Sequence, residues 1–245
     1  MADLRNYQTR MSPAGVQAGA VIDEGLRAYM LKVYNLMALG LAITGVAAYG
    51  TFALAVSNPA FAQLIFVSPL KWVIMLAPLA LVFFMSFRIH TMSVSAAQTT
   101  FWIYAALMGL SLSSIFLVFT GQSIVQTFFV TAAAFGALSL YGYTTKKDLS
   151  GFGTFLIMGL FGLIIASIVN IFLASSALGF AISVIGVLVF AGLTAYDTQK
   201  IKEMYYEADD VAVAGRKAIM GALTLYLDFI NLFMFLLQFL GNKNE

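Results

Sequence analysis

Apolar residues run along this chain in seven long blocks, at about residues 28–54, 70–88, 97–119, 122–143, 152–173, 178–200 and 216–240. Each is close to the roughly 20 residues that carry a helix across about 30 Å of hydrocarbon. In lipid, every peptide group must be satisfied within its own segment. Helices do this, and the even alternation of a membrane β-barrel is missing here. The pattern predicts an all-α membrane protein, a seven-transmembrane-helix bundle. Only Thr120, Gly121, Gln122 and Ser123 part the third and fourth blocks, so the count of seven depends on that short break.

Polar segments flank the blocks. Residues 1–27 read as a mobile polar N-terminal arm, helical near Tyr29, without the apolar core and cleavage site of a signal peptide. Residues 28–240 form the transmembrane domain, and GNKNE at 241–245 is a short tail. With seven spans, Arg5, Arg10, Arg27, Lys32, Arg88, Lys146, Lys147, Lys200, Lys202, Arg216 and Lys217 fall on one face, and Lys71 and Lys243 on the other. Basic residues collect on the cytoplasmic side, so the N-terminus is expected there.

Composition narrows the chemistry. Apolar and aromatic residues make up 61% of the 245 and charged residues 10%, against roughly 25% in soluble domains. There is no cysteine and one histidine, His90, which removes disulfides, thiol nucleophiles and multi-histidine metal sites. A net charge of +2 gives no footprint for nucleic acid. No tightly bound cofactor is implied. Ser113 and Ser114 lack a suitable histidine, and no lysine sits in mid-helix in the last block, so neither a hydrolase nor a retinal protein is expected. Frequent small residues in the spans, as in Gly136-Ala137, read as close helix packing.

Two acids stand where acids are costly. Nine of the 11 lie in tails, loops or helix edges, but Asp197 and Asp228 sit inside the sixth and seventh apolar blocks. A carboxylate at a helix centre in lipid costs roughly 2.5–3.5 kcal/mol on insertion scales. The two helices are consecutive and antiparallel. A hairpin tip near residue 212 or 213, in EADDVAVAGR, would set the two acids face to face. Thr224, Asp228, Asn231, Phe235 and Gln238 follow at helical steps, giving the seventh helix one polar stripe. Thr194 shares the face of Asp197, and Asn170 on the fifth helix is a further candidate neighbour. Two carboxylates in contact in a low dielectric cannot both ionise easily, and they can share a proton or recruit a cation. Oxygen ligands suit Ca²⁺ better than a soft metal, so Asp197 and Asp228 are also the candidate metal ligands. The plainer reading is an interhelical hydrogen bond. Arg88, closing the second block, reads either as a snorkelling anchor or as a counter-charge to the pair.

AGLTAYDTQKIKE followed by LTLYLDFINLF resembles the signature of the Bax inhibitor-1 family, and TKKDLSGFGTFL resembles that family's loop between helices 4 and 5. The resemblance covers about residues 28–240. It implies a bundle with helix 7 central, and a pH-sensitive calcium leak. It gives Asp197 and Asp228 the role of sensor pair and Arg88 that of latch. The chain departs from some relatives in having no acid between Leu70 and Arg88, which weakens a cation path along helix 2. GNKNE is not the basic tail of eukaryotic members. A short cysteine-free chain of this family points to the bacterial inner membrane.

Two functions compete at this point. One is a passive pH-gated cation conduit carrying Ca²⁺. The other is a non-conducting modulator of a membrane quality-control protease or stress complex, touching its partner through residues 1–27.

Overall fold

The structure, a computed structural model, describes residues 13–244, with side chains from Glu24 onward. Seven long helices follow one another: α1 (Pro13–Ser57), α2 (Leu70–Arg88), α3 (Val94–Leu112), α4 (Gly121–Thr144), α5 (Ser150–Leu173), α6 (Ser176–Glu203) and α7 (Val211–Leu240). All seven are long and apolar enough to cross a membrane. A short helical turn at Pro59–Ala62 and a wide one at Gln63–Val67 link α1 to α2, and Ile115–Val118 extends α3 after a break at Ser113 and Ser114. Among the described residues no strand forms, only an isolated bridge between Phe119 and Lys243.

Local chemistry sets the boundaries. Side-chain oxygens at helix starts take up backbone N–H groups that have no partner within the helix. Ser93 does this for α3, Thr120 for α4, Ser175 for α6 and Asp210 for α7. The Thr120 cap, accepting from the Ser123 N–H at 3.2 Å, makes the break on which the count of seven depended. The break between α6 and α7 falls at residues 204–210. VAVAGR is already helix, because Asp210 Oδ1 accepts from the Val213 N–H at 2.7 Å. α1 begins at Pro13, so residues 13–27 of the expected arm belong to a helix. Residues 1–12, with the arm's proposed partner contact, lie outside the described residues.

The tail is tied down rather than free. The Thr120 N–H donates to Asn242 O at 3.0 Å, the Asn244 N–H to Val118 O at 2.9 Å, and the Asn242 N–H to Ser123 Oγ at 2.8 Å. These bonds fasten the end of α7 to the α3–α4 connection.

α7 packs against α1, α3, α4 and α6. In its most apolar stretch 67% of residues are buried, against 11% in α5, which packs chiefly on α6. Lipid supplies no hydrophobic drive between helices, so close approach matters. A Cβ on Gly109 would stand 2.4 Å from Thr44 O, and one on Gly142 would stand 2.1 Å from Ala195 O. Glycine at these positions lets α1 meet α3 and α4 meet α6. Thr44 Oγ1 joins α1 to Ala105 O and to the Tyr226 hydroxyl at 2.9 and 2.6 Å, fixing three helices around the buried Tyr104 and Tyr226 rings.

Candidate functional site

The long α6–α7 contact sets the register of the two acids. Ser183 Oγ donates to Gln238 Oε1 at 3.3 Å, the Phe235 ring lies on Gly186, and Ile201 lies against Gly221. Between these fixed points the Asp197 and Asp228 carboxyl groups come within hydrogen-bonding reach of each other. Asp228 is buried at 4% exposure, and its Oδ2 has no hydrogen-bond partner among the described residues. Asp197 is half-buried and faces the end of α6, where Lys200 is the cation beside it. Lys200 Nζ stands 5.8 Å above the Tyr196 ring. Asp228 is therefore the sealed member of the pair and Asp197 the partly exposed one.

The stripe on α7 exists, but its members bond inward to their own helix. Thr224 Oγ1 donates to Met220 O and Asn231 Nδ2 to Leu227 O, while Thr194 Oγ1 on α6 donates to Phe190 O. None of these three side chains bonds to either carboxyl group. Asn170, expected near the pair, lies toward the opposite end of the bundle. There its Oδ1 accepts from the Ser175 N–H, closing the α5–α6 turn at Ala174, where φ is 48°. It packs on Gly179, which is 18 residues, or about 27 Å of helix, before Asp197. Asn170 and Gln238 line two open cavities of about 620 and 320 Å³. Between this polar end and the aspartates stand Phe190 and Phe235, stacked at 5.7 Å with 26° between ring planes.

Arg88 does not join the pair. Its side chain is exposed and makes no ion pair among the described residues, and the cation facing Asp197 is Lys200. Its exposure at the end of α2 suits the snorkelling anchor, although the turn at Ile89–Thr91 that follows it touches α7. His90 is exposed in the turn after α2. No group of three or more acidic, histidine or cysteine side chains placed to hold a metal occurs among the described residues. Ca²⁺ prefers 6–8 oxygens, so two carboxylates suit a passing cation better than a resident one.

A hydroxyl chain joins three of the helices, α1, α4 and α6. Thr198 Oγ1 donates to Thr194 O at 2.7 Å and lies 2.9 Å from Ser139 Oγ, which lies 2.6 Å from the Tyr34 hydroxyl. Each hydroxyl has one proton to give, so the donors run from Tyr34 through Ser139 and Thr198 to Thr194 O. The chain crosses from α1 through α4 to α6, where Thr198 follows Asp197 in sequence. Its signal in the sequence was modest: Ser139 and Thr198 are polar residues inside apolar blocks. Gln199 is a second unforeseen tie, accepting from the Leu149 N–H and donating to Lys147 O, each at 2.8 Å.

The family model described as Bax1-I, inhibitor of apoptosis-promoting Bax1, matches residues 26–245. An uncharacterized protein of Rickettsia prowazekii is 55% identical over 225 residues, covering 91% of this chain and 93% of the relative. An uncharacterized protein of Caulobacter vibrioides is 49% identical over the full length of both chains. The inner membrane protein YbhL of Escherichia coli is 50% identical over 222 residues, covering 89% of this chain and 93% of its own. Together with seven membrane-length helices, these matches make the chain a multi-pass membrane protein of the Bax inhibitor-1 family.

Proposed function

We propose that this protein is a passive, proton-gated cation leak of the bacterial inner membrane, with Ca²⁺ as its cargo and its N-terminus in the cytoplasm. The observation that carries the reading is the contact between Asp197 and Asp228, with one Asp228 oxygen buried and unpartnered. Intramembrane acids are expensive and mark ion or proton paths. Two bare carboxylates repel when they share a dry site, so the contact requires a proton between them. The paired arrangement is then the protonated, closed one.

Loss of that proton replaces a hydrogen bond with like-charge repulsion. α6 and α7 shift, and the Phe190–Phe235 stack leaves Gly186. A cation then passes between the polar end at Asn170, Ser183 and Gln238 and the pair. Asp197 and Asp228 supply its charged oxygens, and Asn231 and Thr194 line the way. The single carboxyl contact makes the leak rise with pH. Arg88 is not needed as a latch in this scheme.

The test is Ca²⁺ flux from proteoliposomes measured at about pH 6 and at about pH 8. Wild type should leak more at the higher pH. Asp228→Asn, which keeps the shape and a hydrogen bond but removes the ionisable group, should give a flux independent of pH. Equal flux with equal pH response in wild type and Asp228→Asn would rule the mechanism out.

A further inference from the structure

α1 and α4 both pack on α7, yet they make no extended contact with each other. The gap holds two cavities at successive levels. One, of about 440 Å³, lies between Arg27–Met37 of α1 and Phe135–Tyr143 of α4. The other, of about 300 Å³, lies between Leu41–Ala48 and Ile124–Phe129, with Phe229 and Phe233 of α7 as its floor. Both fall within the roughly 300–1,000 Å³ of small-molecule sites.

Two glycines hold the gap open. Gly136 borders the first cavity and Gly45 the second, and a Cβ on either would meet nothing within 4 Å. The close helix packing expected at Gly136 does not occur. The missing side chain leaves space facing lipid.

The first cavity has a charged rim. Arg27 lines it and makes no ion pair among the described residues. Lys202 does not line the cavity, but its Nζ donates to Tyr143 O at 2.8 Å and stands 5.8 Å from the centre of the Tyr143 ring, which does border it. One cation, Arg27, thus lines an end of the apolar slot, and a second, Lys202, is held against the lining residue Tyr143. The slot runs ten residues along α1, about 15 Å, or half of a 30 Å hydrocarbon core.

We propose that this slot binds one anionic membrane phospholipid. Its phosphate sits at Arg27 and Lys202, and one acyl chain lies along Gly136 between Met30, Met37 and Phe135. The length fits a single leaflet's chain, the rim complements a negative headgroup, and the glycine gap admits methylenes. The site is separate from the aspartate pair and does not depend on the proposed leak.

The experiment is native mass spectrometry of the full-length protein released from vesicles of equal parts phosphatidylglycerol and phosphatidylcholine. Wild type should keep one phosphatidylglycerol in preference to phosphatidylcholine. Gly136→Leu, whose Cβ meets nothing within 4 Å and whose longer side chain narrows the slot, should lose that lipid. Gly162→Leu on α5, where a Cβ also meets open space, should keep it. Arg27→Gln should lower the preference for phosphatidylglycerol about fivefold, the worth of one basic residue near an anionic surface. Equal retention of the two lipids, or a lipid kept by Gly136→Leu as by wild type, would overturn the proposal. A protein dimer in place of the lipid adduct would also overturn it, and would assign the slot to a second copy of the chain.

Discussion

Asp228 is the residue on which the rest turns, because one of its carboxyl oxygens is buried with no partner among the described residues. Such a group costs stability wherever it has no use. Both aspartates were legible as acids inside apolar blocks, although the turn between their helices lies at residues 204–210 and not at the expected 212 or 213. The glycines were not legible in the same way. Gly142 and Gly136 lie six residues apart on α4 in similar company, yet one meets backbone and the other open space. Nothing in the local sequence separates these roles, because they depend on which helix passes in front. Gly142→Ala should lower the thermal stability of the detergent-solubilised protein by about 1–3 kcal/mol, the usual cost of overpacking. Gly136→Ala should leave it within about 0.5 kcal/mol of wild type. Comparing the two melting curves checks the contrast.

Elements were read well at their centres and less well at their ends. All seven blocks are helices, but α1 reaches back to Pro13 and α7 starts at Val211, inside the polar stretch that holds the expected hairpin tip. In both cases apolar content misplaced the boundary, since helix continues through polar sequence where a cap or packing supports it. The α4–α5 turn shows how such an end is held. Hydrogen bonds from Ser150, its hydroxyl first and then its backbone N–H, keep the exposed Asp148 carboxyl below its ordinary pKa. That contribution is present above the normal aspartate range and disappears as pH falls through the lowered value. Asp148→Asn should therefore speed amide exchange at Ser150 and Gly151 at neutral pH, with the difference from wild type vanishing on acidification. Between α6 and α7 the Phe190–Phe235 stack separates the pair from the polar end at Gln238. Phe235→Ala should raise Ca²⁺ flux at every pH while keeping a residual pH response, read in the same liposomes. A flux equal to wild type would show that the stack is not the barrier.

On the scale of the whole molecule, the bundle followed from length and apolarity, because lipid leaves the backbone few alternatives. The ties between helices did not follow. Thr44 to Tyr226, Tyr34 to Ser139 and the Asn242–Asn244 clasp each join residues more than 100 positions apart, and no local pattern announces them. Asn170 faces α6 as expected but at the other end of the bundle from the aspartates, because its depth depends on where the α5–α6 turn falls, and of the two readings of Arg88 the exposed anchor is the one its position suits. The distribution of lysine and arginine predicts the sidedness. In this cysteine-free chain, a cysteine placed at Tyr206 should resist an impermeant maleimide added to intact cells, and one at Asn242 should react. The reverse pattern would invert the topology and the direction of the leak.

The distance between the Asp197 and Asp228 carboxyl oxygens, measured in structures of the full-length protein at about pH 6 and about pH 8, tests the gate most directly. The account predicts contact at the lower pH. At the higher pH it predicts separated oxygens, with the Phe235 ring displaced from Gly186. An unchanged contact and an unmoved ring at both values would contradict it.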